Sequence, residues 1–61
     1  MTRTEALTEL HNGNKITHKH FMSDEYLEIK NEVITSEDGY DFTESFWKRS
    51  ALKDGWAIFN N

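Results

Sequence analysis

Residues 26–39 read YLEIKNEVITSEDG, and this stretch decides the fold. Tyr26-Leu27-Glu28-Ile29-Lys30 alternates, so Leu27 and Ile29 face one side of an extended chain and their charged neighbours the other. Asn31-Glu32 predicts a two-residue turn, and Val33-Ile34-Thr35 a returning strand that closes a hairpin. Asn-Glu reverses a chain less readily than Asn-Gly, which leaves the register open. Ser36-Glu37-Asp38-Gly39 is the strongest turn signal in the chain and ends the hairpin.

Downstream, Asp41-Phe42-Thr43-Glu44 has the spacing of a helix capping box, and Phe42, Phe46 and Trp47 follow at helical spacing. Lys48, Arg49 and Lys53 crowd the C-terminal end, where cations suit the helix dipole. Asp54-Gly55 breaks that segment, and Trp56-Ala57-Ile58-Phe59 predicts a last strand with Trp56 and Ile58 on one face. Upstream, Thr2-Arg3-Thr4-Glu5 predicts a capping box, Ala6, Leu7 and Leu10 a short helix, and Asn12-Gly13-Asn14 its end. Lys15 to Phe21 reads as a strand, and Ser23-Asp24 as the turn after it. The whole is a single α+β domain over residues 1–61, with two short helices and a small, mainly antiparallel sheet of about four strands in the order α-β-β-β-α-β.

Sixty-one residues bound what such a domain can do. A chain this short buries only ~60% of its unfolded surface. It also holds no cysteine for a disulfide or a thiolate site. Eight aromatics are the substitute, as bulky core or as a subunit interface, and they make a homo-oligomer an expectation. The net charge is −4, unevenly spread. Residues 24–44 hold eight acids (Asp24, Glu25, Glu28, Glu32, Glu37, Asp38, Asp41, Glu44) against Lys30, a local net of −7, and the rest of the chain carries +3. Such a middle repels nucleic acid and anionic lipid and favours a basic partner surface; it also serves simply as a solvated rim. No apolar run exceeds three or four residues, so neither a membrane span nor a signal-peptide core is expected, and the cytoplasm is the expected compartment.

Catalytic patterns are missing. Three glycines are too few for the phosphate-cradling loops, no nucleophile motif occurs, and the acid pairs Asp24-Glu25 and Glu37-Asp38 fall in turn signals rather than a cleft. The chain reads as a binder rather than an enzyme, with no cofactor. His18 and His20, two apart on a predicted strand, would turn their rings the same way, with His11 nearby. No carboxylate stands at a spacing that completes a zinc or copper site, so they read as solvent-facing strand residues and no metal ligand is assigned. Among the aromatics, Phe42, Phe46 and Phe59 suit a core. Phe21, Trp47 and Trp56 are candidates for an interface or for stacking on a flat ligand, since so small a domain struggles to bury two indoles.

The order of short motifs carries one further reading. Glu5-Ala6-Leu7, Leu10, Gly13-Asn14-Lys15-Ile16, His18-Lys19, Phe21, Tyr26-Leu27, Asp38-Gly39, Trp47, and Asp54 before Trp56 follow one another along nearly the whole chain. This succession resembles the small phage domain family of the second Thoeris anti-defence type. The resemblance implies a phage protein in the host cytoplasm that blunts immunity by binding. Family members are described as oligomeric sponges for cyclic-ADP-ribose-type signalling nucleotides, with relatives linked to CRISPR inhibition. Carried over position by position, it implies a ligand set of Phe21, Trp47, Asp54 and Trp56, with Lys19 and Arg49 among the cations available to a pyrophosphate. Aromatics would stack on the purine, and Asp54 would accept bonds from ribose hydroxyls. Phe21 stands where the family has Trp, Asp54 and Trp56 are one residue further apart, and the segment between Lys30 and Asp38 is shorter. Two expectations follow. One is sequestration of a nucleotide signal. The other is a protein-directed inhibitor whose acids from Asp24 to Glu44 imitate nucleic-acid phosphates in a basic groove of a host nuclease or CRISPR effector.

Overall fold

The computed structural model describes residues 1–60. In chain order it contains helix α1 (Arg3–His11), strands β1 (Ile16–His18), β2 (Leu27–Lys30) and β3 (Val33–Ser36), helix α2 (Thr43–Lys48), one turn of 3₁₀ helix (Ser50–Leu52) and strand β4 (Trp56–Ile58). The expected α-β-β-β-α-β order holds, as a small α+β fold built on one four-stranded antiparallel sheet.

The hairpin takes the tightest of its registers. Lys30 pairs with Val33 and Ile29 with Ile34, leaving only Asn31 and Glu32 at the tip. Both adopt positive φ, 51° and 65°, as in the mirror-image turns whose twist matches the strands they join. Past β3, the Ser36 N–H donates to the Tyr40 carbonyl (2.9 Å) and the Phe42 N–H to the Ile34 carbonyl (2.8 Å). Residues 37–41 thus double back along the outer edge of the sheet and cover it.

Helix α1 begins with the expected capping box. Glu5 N–H donates to Thr2 Oγ1 (3.2 Å) and Thr2 N–H to Glu5 Oε1 (2.8 Å). It ends where Gly13 turns to φ 90°, a conformation that costs glycine little. The strand expected over Lys15 to Phe21 is shorter. It ends at His18, because the Phe21 N–H donates back to the His18 carbonyl (2.9 Å) and turns the chain. A capping box at Asp41 does not form either. Asp41 Oδ1 accepts the Thr43 N–H (3.0 Å), Phe42 is the cap without a side-chain bond, and Glu44 pairs with Lys48 (3.1 Å) instead.

Strand order is β3-β2-β1-β4, so the last strand lies beside the first. Ile16 faces Ile58, Thr17 Ala57, and His18 Trp56. One face of this sheet supplies Ile16, Leu27, Ile34 and Trp56, which bury together with Ala6 and Leu10 of α1, Phe46 of α2 and Leu52. Both helices therefore cover the same face. Burying Phe46 alone stabilises the fold by roughly 2–3 kcal/mol. On the other face Tyr26 and Phe59 lie ring to ring (4.8 Å), with the Lys15 ammonium 4.6 Å from the Tyr26 ring. Phe59, expected in the core, is only half-buried there.

Candidate functional site

The site begins at the end of β1. His18 is 3% exposed, which overturns its reading as a solvent-facing residue, while His20 is exposed. The strand stops between them, yet the two rings still lie side by side, 5.2 Å apart and tilted at 43°. Both His18 nitrogens are engaged: Nδ1 accepts the His20 N–H (3.1 Å), so Nε2 carries the proton and donates to the Asp54 carbonyl (2.6 Å). Burial pushes its pKa below 6.5, and the neighbouring His20 and Lys19 push the same way against the Asp54 hydrogen bond. With both nitrogens committed, His18 has no lone pair for a metal. Among the described residues no group of three or more His, Cys, Asp or Glu side chains is placed to hold one.

The turn at His18 directs Phe21 back over the core. Its ring stands edge-on to Trp56 (5.7 Å, 89°) and to Phe42 (6.1 Å, 77°). Between this turn, the loop of residues 37–41, and the helical segment from Ser45 to Leu52 lies a groove of about 520 Å³. Phe21, Leu27, Phe42 and Leu52 give it an apolar floor. Its rim carries Glu25, Glu37, Asp38 and Asp41, together with Tyr40, His20 and Arg49.

Three of the four acids are held in place by backbone donors. Glu25 Oε1 accepts the Met22 N–H (2.5 Å), Glu37 Oε1 the Tyr26 N–H (3.2 Å), and Asp41 Oδ1 the Thr43 N–H (3.0 Å). Glu25 and Glu37 each keep a second oxygen for another donor. Hydrogen bonds from the Thr43 backbone and hydroxyl hold the Asp41 carboxyl below its usual 3.8, so it stays ionised. Among the described lining residues Arg49 alone carries a fixed positive charge. Its guanidinium lies over the Phe42 ring (5.7 Å) and makes no ion pair among the described residues. Four carboxylates against one guanidinium give the groove a formal charge of −3.

The residues expected to bind do not all gather in the groove, although Phe21 and Trp56 meet edge to face. Phe21 and Arg49 reach the groove, as do Glu25, Glu37, Asp38 and Asp41. Trp56 is a core residue, 3% exposed, with its indole N–H donated to the Leu52 carbonyl (2.8 Å); it offers no open face for stacking. Trp47 is 48% exposed but outside the groove, edge-on to Phe46. The Asp54 carboxylate accepts the Gly55 N–H (2.8 Å), and exposed Lys19 lies along Gly55, both away from the groove. Glu28 pairs with Lys30 (3.7 Å) on the outer face of the sheet, Glu32 occupies the hairpin tip, Glu44 pairs with Lys48, and Asp24 stands in its exposed turn.

Tyr40 and Phe42 line the groove without having been expected there. Tyr40 carried a signal that sequence reading passed over: an aromatic set between Asp38-Gly39 and Asp41 in a tight turn has no core to enter, and it is 73% exposed. No protein-family model, curated protein or solved structure matches this chain.

Proposed function

We propose that this chain acts by binding rather than by catalysis, as a protein-directed anti-defence inhibitor that presents its acidic groove to a basic surface of a host protein in the host cytoplasm. The observation that carries this reading is the groove itself: four carboxylates and one arginine around an apolar floor. Such a surface attracts cationic side chains and gives their aliphatic stems somewhere to lie. It is a poor receptor for a pyrophosphate. The nucleotide-sequestering alternative needs Phe21, Trp47, Asp54 and Trp56 in one site, whereas Trp56 is buried and Trp47 and Asp54 do not line the groove.

The test neutralises the groove. A variant carrying Glu25→Gln, Glu37→Gln, Asp38→Asn and Asp41→Asn should lose binding to its host partner, while Glu28→Gln with Glu32→Gln should keep it. Binding of the unmodified chain should weaken as ionic strength rises from about 0.1 M to about 1 M, where the Debye length shrinks from about 10 Å to about 3 Å. Intact inhibition by the groove variant, or micromolar binding of cyclic ADP-ribose isomers in calorimetry, would overturn the reading.

A further inference from the structure

The groove has a feature that acidity alone does not require. Tyr40 is the most exposed of the chain's large hydrophobic side chains, at 73%. It stands on the rim beside Asp38, Asp41 and Glu37, and its backbone is fixed from both directions. The Tyr40 N–H donates to Ser36 Oγ (3.1 Å) and its carbonyl accepts the Ser36 N–H (2.9 Å). The ring is thus presented on an anchored turn, in solvent, among carboxylates. An aromatic in that position gains no core burial and leaves its face open to a group that also satisfies the acids around it.

We infer that the occupant of the groove is an arginine side chain of the partner, its guanidinium laid over Tyr40 and hydrogen-bonded to the rim carboxylates. This rests on reading the groove as a site for a basic protein. Two kinds of partner group answer that description, and the chemistry separates them. A lysine ammonium is compact and strongly hydrated, and reaches carboxylates as a point charge. A guanidinium is planar and weakly hydrated; it stacks on an aromatic face while its edge donates to carboxylates in a fork. The rim supplies both halves of that second pattern at once.

The groove already contains one example. Arg49 lies over Phe42 at 5.7 Å, without an ion pair to any acid among the described residues. Phe42 therefore has its guanidinium from within the chain, and Tyr40 is the exposed groove aromatic left for one from outside. The four rim acids exceed what Arg49 can neutralise, so a second cation is what the charge calls for. The stem of that arginine has the half-buried ring of Phe21 to lie against.

The experiment is an NMR titration of the full chain with two short blocked peptides, Gly-Arg-Arg-Gly and Gly-Lys-Lys-Gly. With the arginine peptide, shifts confined to the groove, centred on Tyr40, Asp38 and Asp41, are expected, and binding about three- to fivefold tighter than for the lysine peptide. Tyr40→Ser should abolish that preference and leave the fold intact, because the anchoring bonds at this position are made by its backbone. Equal affinity for the two peptides, or a preference that survives Tyr40→Ser, would overturn the arginine assignment while leaving a basic partner in place. Absence of groove shifts with either peptide would overturn both. If cyclic ADP-ribose shifts the same residues and the peptides do not, the site belongs to a nucleotide and both readings fail.

Discussion

His18 shows how much one side chain can link. It ties the end of β1 to the Asp54 carbonyl and to the His20 N–H, and its ring meets Phe21 (5.7 Å) and Trp56 (4.8 Å). All of this requires the neutral, Nε2-protonated form, since a proton on Nδ1 would confront the His20 N–H with a second donor. The sign of the consequence is fixed. Its pKa lies below 6.5 when folded, so between that value and 6.5 the unfolded chain binds more protons. The stabilisation is complete above this window and is lost as the pH falls through it. Melting temperature should therefore decline on acidification below 6.5, and His18→Gln, which does not titrate, should flatten that decline. An unchanged slope in the variant would remove His18 as the cause. Asp41 acts in a separate, more acidic range, where its contribution is present above 3.8 and lost below it. None of this was legible in residues 15–21, because the strand pattern gave no reason for the chain to turn after His18. Only the Phe21 N–H returning to the His18 carbonyl makes that turn.

At the scale of elements, local sequence decided more. The Thr2 to Glu5 box, the stop at Gly13 and the hairpin over residues 26–36 each depend on residues a few positions apart, and each forms where the sequence predicts. The hairpin tip retains a local conflict. Glu32 sits at φ 65°, a conformation that costs a side-chain-bearing residue about 1 kcal/mol or more. Glu32→Gly converts the turn to the favoured Asn-Gly pair and should stabilise the protein by about 0.5–1 kcal/mol, seen as a melting temperature several degrees higher. A lower melting temperature would show that the side chain supplies a contact worth more than the strain. The element that sequence misjudged is the start of α2. Asp41 and Glu44 have capping-box spacing, yet Asp41 also bridges to Thr35 along the sheet edge, and with Asp41 held there Phe42 is the cap.

For the whole molecule, the deciding fact is where the aromatics go. With a radius of gyration of 10.1 Å, against about 10.5 Å for a compact chain of this length, the core closes within one chain. Trp56 is at its centre and Trp47 on its surface. Trp56→Ala should cost about 3–5 kcal/mol, enough to unfold a domain this small, whereas Trp47→Phe should change stability by less than about 0.5 kcal/mol. Acrylamide quenching distinguishes the two indoles directly: emission surviving Trp47→Phe should be shielded until the protein unfolds. The sequence by itself determined the order of elements, the hairpin and the acidic character of the middle, because these follow from alternation, turn chemistry and charge among near neighbours. Tertiary structure alone decided the rest. Pairing β4 with β1 joins residues 38 to 42 apart and draws Trp56 inward. The same packing leaves Trp47 outside, sends four of the eight middle acids to one groove, and sets Tyr40 on its rim. Contacts of that range are selected by the competition for one buried face, which no local pattern records.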